Sequence, residues 1–592
     1  MTLNVKNIAG ALKIIWESSP VWSLVNIVFS VVRGVLPLAL IYIVKLVIDD
    51  VIRIAASGKP LLTDQDILNT FIIAGVFFLL NALVGAANLY VREKQSYILT
   101  DHIQNIIHKK TIAIPYRYFE DSEYQNVFYR AVEESSYRPS RVFYGLLGLL
   151  QNSVTLILII AVLMTLGWEI IAFLLVISVP IVFFNLHYSK LFYFLKKEQT
   201  EEERKVGYYN RLLTSKDFAK ELRIFDLGNY FKGKYEKLRE DLRDKQLKLI
   251  RRRTVWESLV QVISTVFLLM IFGYIIYSTV TKKISTGDMA MYFLALHRGY
   301  NVLQEWLSRI SALYEDNLFL KNFFEFLRIK VRSDSTVGLH FPRPVKKGIS
   351  FKNVSFKYPN TKRWVLKDVN FSIDTGETVA IVGTNGAGKT TLVKMLAGLY
   401  KPVSGKITVD SVDWSAIKSD ELAASVSVIF QDFMLYNESA KNNIWFGNVK
   451  RNPDDEPIQE AAKNAGIHDL FINLPKSYET MLGTLFKNSE QLSRGEWQRT
   501  ALARSFFNDA QLIILDEPTS SLDAFTEAGL LEHFREIANG RTAIIISHRL
   551  TTIKLADRII VLDGNTVAET GTHDELMRKG GVYQRMIESL SQ

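Results

Sequence analysis

The stretch Gly383-Thr-Asn-Gly-Ala-Gly-Lys-Thr390 holds the residue types that grip a polyphosphate. Gly383, Gly386 and Gly388 let the backbone wrap closely enough for its N–H groups to face phosphate oxygens, with Thr384, Asn385 and Ala387 completing the loop. Lys389 would neutralise the β- and γ-phosphates of a nucleoside triphosphate, the Thr390 hydroxyl would ligate Mg²⁺, and Thr391 stands beside them as a further nucleotide contact. Two later runs add charge. Leu512-Ile-Ile-Leu-Asp-Glu517 ends in two carboxylates, of which Asp516 suits the metal shell and Glu517 is placed to polarise an attacking water. Ala543-Ile-Ile-Ile-Ser-His548 ends in a histidine able to orient the γ-phosphate and Glu517. A lone histidine is more often structural, and this one gains weight from its companions.

Each of these groups needs an element to hold it. The strand Glu377-Thr-Val-Ala-Ile-Val382 runs into the phosphate loop and the helical Leu392-Val-Lys-Met-Leu-Ala397 leaves it, the strand, loop, helix context that such a loop requires. The positive end of that helix adds to the phosphate field. Upstream, Ile349 to Tyr358 and Trp364 to Ile373 are short β-rich runs, so residues 349–592 read as an α/β domain, preceded by a linker over 336–348. The loop alone would also fit a kinase, a GTPase or a helicase.

Residues 1–335 have a different texture. Six stretches, roughly 21–48, 67–91, 142–166, 169–195, 254–281 and 285–310, are long and apolar enough to span a bilayer, which takes about 20 residues of helix each. The loop from Arg92 to Arg141 holds eight Lys/Arg and the loop from Lys196 to Arg253 holds eighteen, whereas the opposite side offers Arg53, Lys59, Lys282 and Lys283. The positive-inside bias therefore places both long loops and both termini in the cytoplasm of a multi-pass protein. Leu12, Ile14, Ile15 and Trp16, with Lys6 and Lys13, read as a short helix on the inner membrane surface, and no cleavage site follows as in a signal peptide. Tyr118 to Gln125 and Lys220 to Asp226 mix aromatic or aliphatic residues with carboxylates and are candidate docking segments. Arg33, Asn81, Gln151, Asn152, Asn185, Gln261, His297, Arg298 and Asn301 are polar residues inside spans; they line a cavity, bond between helices or snorkel to the interface.

A chain of 592 residues exceeds one hydrophobic core. Residues 341–592 carry 30 basic and 30 acidic side chains, so the whole excess of ten positive charges falls before them, on the half with the apolar runs. That placement fits membrane topology, and no nucleic-acid partner is expected. The absence of cysteine excludes disulfides, thiolate metal sites and cysteine nucleophiles, so no cysteine-type leader peptidase is carried on this chain.

Before the carboxylate strand stands Leu492-Ser-Arg-Gly-Glu496, leading into the helix Trp497 to Ser505. The ordered set Tyr358, Gly383 to Thr390, Gln431, Leu492 to Glu496, Asp516-Glu517, Ser521-Leu-Asp523 and His548 resembles the ATP-binding cassette of ABC transporters, and the six spans ahead of it resemble the half-transporter exporters. The resemblance covers nearly the whole chain. It implies an all-α six-helix transmembrane domain followed by an α/β P-loop ATPase domain, with ATP and Mg²⁺ as cofactors. Tyr358 would stack on adenine, Gln431 would sense Mg²⁺ and the γ-phosphate, Thr390, Gln431 and Asp516 would hold the metal, and Asp523 would communicate across a dimer. Ser493 and Gly495 would face the γ-phosphate bound by a second copy of the chain or a related half-transporter, and Lys389, Glu517 and His548 would carry catalysis. Segments around Phe119 and Phe225 would be coupling helices seated on the cassettes. Taken alone, Tyr358 is an ordinary strand-end aromatic and Gln431 a surface loop residue.

Two positions depart from the family pattern: Arg494 replaces the first glycine of the signature and Glu496 its glutamine. Gly483 to Glu490 also lacks the glutamate of many multidrug exporters and, with Gly-Glu-Trp-Gln498, is closer to exporters of lantibiotics and related modified peptides. The resemblance thus implies an exporter in a bacterial inner membrane, its cargo a small peptide or amphipathic molecule. A lipid flippase, a multidrug exporter and a nucleotide-gated channel or regulator use the same scaffold.

Overall fold

The computed structural model describes residues 5–57, 65–135, 138–329, 338–359, 361–518, 534, 538 and 540–591. The chain divides into two compact units, one formed by 1–114 and 122–330, the other by 115–121 and 331–592. The expected Ser521-Leu-Asp523 motif, Asp523 included, lies outside the described residues.

The first unit is helical: α1 (Val5–Ser18), α2 (Pro20–Ser57), α3 (Gln65–Ala113), α4 (Ser122–Ser135), α5 (Arg138–Met164), α6 (Trp168–Glu198), α7 (Thr200–Thr214), α8 (Ala219–Ile224), α9 (Gly228–Val280) and α10 (Thr286–Arg328). Each of the six expected spans coincides with one of these helices, and 142–166, 254–281 and 285–310 overrun a helix end by one or two residues. Among the described residues, α2, α3, α5 and α9 are apolar and long enough to cross a membrane. The α6 side chains are described only in part. In α10 the run His297, Arg298, Asn301, Gln304 and Glu305 dilutes the hydropathy. The packing explains this: α10 contacts α2, α5, α6 and α9, and Ala295, Leu296 and Val302 are fully buried, so it faces protein where a solitary span faces lipid.

Polar residues in the spans take several of the expected roles. Asn152 on α5 donates to Glu305 on α10 at 3.3 Å and Tyr300 donates to Gln261 across α10 and α9 at 3.3 Å, while Asn301 bonds His297 within α10 at 3.2 Å. A pair not anticipated, Asn26 with Gln95, ties α2 to α3 at 2.5 Å, and both side chains are buried. The amino-terminal helix differs from a free surface helix. Its Ala11 packs with Val142, Leu313 and Leu320, whereas Leu12 and Trp16 point outward.

The second unit holds two sheets. An antiparallel one has the order β2-β1-β4-β5, from β1 (Ile349–Phe356), β2 (Leu366–Ile373), β4 (Ser404–Val409) and β5 (Val412–Asp413). The other has the order β10-β9-β3-β8-β7-β6, from β3 (Thr378–Gly383), β6 (Val426–Ile429), β7 (Leu512–Asp516), β8 (Thr542–Ile546), β9 (Arg558–Asp563) and β10 (Thr566–Gly571). Five of its strands are parallel, and β10 returns antiparallel on the edge. The continuous apolar runs of β7 and β8, every residue buried, are what a strand covered on both faces requires. Val379, Ile381, Ile514 and Ile544 join the core toward β1 and β2, while Ile513, Leu515, Ala543 and Ile545 face the helical side with Trp497 and Leu502.

Candidate functional site

In a parallel sheet the carboxyl ends of the strands gather along one edge, where loops present functional groups. Here β3 delivers the phosphate loop to that edge, β7 delivers Asp516 and Glu517, β8 delivers Ser547 and His548, and β6 leads to Gln431.

The loop closes into the helix Lys389–Leu396. Gly388 has φ 99° in the left-handed region, and a Cβ there would collide with the Leu366 side chain, so glycine is required on two grounds. Gly386, at φ 82°, has open space around its missing Cβ, and the Ala387 N–H donates to the Thr384 carbonyl at 3.2 Å. The Lys389 ammonium is drawn inward and donates to the carbonyls of Gly383 at 2.8 Å and Thr384 at 3.2 Å. Burial lowers its pKa, against the pull of the Glu517 and Asp516 carboxylates. The Thr391 hydroxyl is 3.0 Å from the Tyr358 hydroxyl, which fixes the candidate adenine aromatic to the phosphate-loop helix.

Asp516 ends β7 almost fully buried. Burial, and then the neighbouring Glu517 charge, push its carboxyl up to about 6, with the Thr390 hydroxyl and Lys389 acting the other way. Its Oδ2 has no hydrogen-bond partner. An orphaned buried carboxylate oxygen beside a threonine hydroxyl is the donor set a hard divalent cation takes, so the residues present fit Mg²⁺. No group of three or more His, Asp or Glu capable of holding a metal occurs among the described residues, so the phosphates of a bound nucleotide would complete the shell.

Glu517 follows at φ 52°, a left-handed conformation uncommon for a side chain of this size. It is held there from several sides. Its N–H donates to the Ile546 carbonyl at 2.9 Å and its own carbonyl accepts from Gln498 Nε2 at 3.2 Å. Gln431 Nε2 donates to Oε2 at 2.7 Å, and His548 Nε2 lies 3.5 Å from Oε1. Burial and the Lys389 charge lower the His548 pKa despite Glu517, which keeps the imidazole mostly neutral near pH 7.

Ser493 and Gly495 sit at the start of the helix Arg494–Phe507. Ser493 is its N-cap: Glu496 N–H donates to Ser493 Oγ at 3.3 Å and Ser493 N–H donates to Glu496 Oε2 at 2.6 Å. This capping box gives the unexpected Glu496 a local purpose. Among the described residues, no hydrogen bond or ion pair joins Ser493 or Gly495 to Lys389, Thr390, Asp516 or Glu517. The structure thus gathers Tyr358, Lys389, Thr390, Thr391, Gln431, Asp516, Glu517 and His548, and the signature helix reaches this group through Gln498.

Sequence reasoning missed the surroundings of Tyr358. Its ring meets Tyr400 edge-on at 5.5 Å, Tyr400 meets Tyr116 edge-on at 5.9 Å, and Lys394 lies within 6.0 Å of all three rings. Lys394 pairs with Glu120 at 3.0 Å, and Tyr400 donates to the same carboxylate. Burial opposes ionisation of Glu120, but these bonds outweigh it and hold its pKa below the usual value. The only sequence signal was the aromatic and acidic texture around Tyr118; the helical spacing of Thr391 and Lys394 puts them on one face without saying what meets them. By contrast Ile224 and Phe225, in the second candidate docking segment, are strongly exposed in the helical unit.

Residues 366–520 match the family described as ABC transporter, and residues 23–298 match the ABC transporter transmembrane region. The subtilin transport ATP-binding protein SpaT of Bacillus subtilis is 31% identical over 565 residues, covering 95% of this chain and 90% of that protein. The nisin transport ATP-binding protein NisT of Lactococcus lactis subsp. lactis is 28% identical over 587 residues, covering 98% and 95%. A solved bacterial Atm1-family ABC exporter with ATP bound shares the fold, with a TM-score of 0.80 at 22% identity over 96% of this chain and 98% of that one. The transmembrane-region match and the four spanning helices make this an integral membrane protein, and the cassette match makes it a nucleotide-binding one.

Proposed function

The chain belongs to the ABC transporter family, and we propose that it is one half of an ATP-driven exporter that moves a small peptide out of a bacterial cytoplasm. The subtilin and nisin transport proteins, alike along almost their whole length, support the peptide reading. The long basic loops put the cassette on the cytoplasmic side of the plasma membrane. The domains run over 1–335 and 349–592, with the linker between.

Tyr358 stacks on adenine, the loop from Gly383 to Thr391 wraps the phosphates, and Lys389 neutralises them. Thr390, Gln431 and Asp516 would hold Mg²⁺, which would supply charge neutralisation at the phosphates. Glu517 orients and polarises the attacking water, with Gln431 and His548 fixing its carboxylate. Ser493 and Gly495 make no hydrogen bond to this group among the described residues, and the likeness to half-transporters supports a composite site completed by the signature helix of a second copy in a symmetric dimer. Closure of the cassettes on ATP then drives the bundle from inward-open to outward-open, and hydrolysis resets it.

The observation that carries this reading is the Glu517 carboxylate, gripped by Gln431 at 2.7 Å with His548 at 3.5 Å. A nucleotide sensor or gated channel has no need of that arrangement. The test is ATP hydrolysis by the purified chain in lipid vesicles. Wild-type turnover that collapses in Glu517→Gln is expected; negligible turnover in the wild type overturns the self-sufficient exporter.

A further inference from the structure

Two arginines, Arg33 on α2 and Arg309 on α10, come near a third, Arg92 on α3. Arg33 and Arg309 are close enough to repel the Arg92 guanidinium. None of the three makes an ion pair among the described residues, and the Nε atoms of Arg92 and Arg309 are buried without hydrogen-bond partners. The neighbouring carboxylates are engaged elsewhere. Arg138 holds Asp316 at 2.6 Å and Glu315 at 3.2 Å, Arg141 holds Asp316 at 3.2 Å, and Glu305 accepts from Asn152 at 3.3 Å.

By the expected spans, Arg92 and Arg309 fall at the cytoplasmic ends of 67–91 and 285–310, while Arg33 lies within 21–48, about 18 Å of helix from its cytoplasmic end. Ordinary snorkelling would turn them out to lipid. Instead the Arg92 guanidinium lies over the Tyr144 ring at 5.6 Å, and the Arg309 guanidinium occupies the space where Gly148 lacks a side chain. Beside Arg309 opens a cavity of about 410 Å³ whose wall includes Tyr144, Gly145 and Leu313 and also the ion-paired Arg141 and Asp316, with Arg92 reaching it through the Tyr144 ring. That volume falls in the range of small-ligand sites, about 300–1,000 Å³.

Uncompensated cations among packed helices are costly, and planar guanidinium forks match a carboxylate in two parallel hydrogen bonds. We propose that Arg33, Arg92 and Arg309 form an anion-binding station at the cytoplasmic entrance of the bundle, taking a carboxylate carried by the peptide cargo. This rests on the reading of the chain as a peptide exporter. The apolar part of the cavity wall, Gly145 and Leu313, receives the residue that bears the carboxylate.

The test uses the full chain, nucleotide-free, in phosphatidylcholine vesicles, with calorimetric binding of an apolar eight-residue peptide that has a free C-terminal carboxylate and of the same peptide as its amide. The carboxylate form is expected to bind about tenfold more tightly. Arg92→Gln with Arg309→Gln is expected to erase the preference, and Arg92→Lys with Arg309→Lys to restore part of it. Because the Gln pair relieves repulsion, its unfolding midpoint is expected to stay level or rise, which separates lost recognition from lost fold. No preference in the wild type, including no binding of either peptide, or a preference that survives in the Gln pair, overturns the proposal. So does an arginine-dependent response to phosphatidylglycerol without peptide discrimination, which assigns the cluster to lipid head groups. The exporter reading is judged separately, by the Glu517→Gln comparison.

Discussion

In the proposed mechanism Glu517 is the residue on which turnover depends most directly. Its backbone is held in an uncommon conformation and its carboxylate by two side chains, so Glu517→Gln preserves shape while removing the base. General-base losses run to about 10²–10⁴-fold, and ATP hydrolysis in vesicles is expected to fall by at least the lower figure. A second residue gives a pH signature. Burial raises the Glu377 pKa, but bonds from Arg558 at 2.6 and 2.8 Å outweigh it and bring it below 4.5. A carboxyl whose folded pKa is depressed stabilises the fold above its unfolded pKa and loses that contribution as pH falls through the folded value. Thermal unfolding of Glu377→Gln is therefore expected to show a lower midpoint than wild type at pH 7, with the gap closing as pH falls below about 4. A gap that stays constant with pH removes the ion pair as its cause.

At the scale of elements, the signature helix shows how a departure from a family pattern is absorbed locally. Glu496 satisfies the Ser493 N–H while Ser493 satisfies the Glu496 N–H, two of the orphan donors at a helix start. Losing such a cap costs about 0.5–2 kcal/mol. Glu496→Ala is expected to lower the unfolding midpoint of the cassette and expose amides of the first helical turn to hydrogen exchange, while Glu496→Gln, which still accepts from Ser493, stays close to wild type. Equal protection in both variants overturns the capping role. The segment 115–121 is the corresponding case for a loop. Glu120 and Tyr116 bind it to Lys394 and Tyr400, beside Tyr358, the proposed adenine aromatic, so the loop and the proposed nucleotide pocket share one set of contacts.

For the whole molecule the decisive quantity is the number of chains in one site. Among the described residues Lys389 bonds within the phosphate loop and Ser493 within its own helix cap. If each site takes its phosphate loop from one copy and its signature from the other, a mixed dimer of Lys389→Ala and Ser493→Ala puts both lesions in one site and leaves the other wild type. Each variant alone is expected to be nearly inactive, and the mixed dimer, purified through two different tags, to recover a substantial part of ATP hydrolysis. No recovery in a verified mixed dimer means that the site is built within one chain, or that both sites must fire together.

The sequence by itself determined whatever is local in chain order. The phosphate loop announces itself because Gly383 to Thr390 must adopt one backbone path in one strand, loop, helix setting, and the spans announce themselves because lipid demands long apolar helices. The apolar strands ending in Asp516 and His548 were legible for the same reason. Only the tertiary structure decided what depends on which distant residues meet. It brought Gln431 to Glu517 and Thr391 to Tyr358, put Lys394 and Tyr400 around Glu120, and brought Arg33 of α2 and Arg309 of α10 near Arg92 of α3. It also explained why α10 is polar at its centre, since a helix surrounded by other helices answers to its neighbours. Periodicity and motif spacing record the demands of backbone and solvent along the chain, whereas these contacts arise between residues dozens to hundreds of positions apart, and packing alone brings them together.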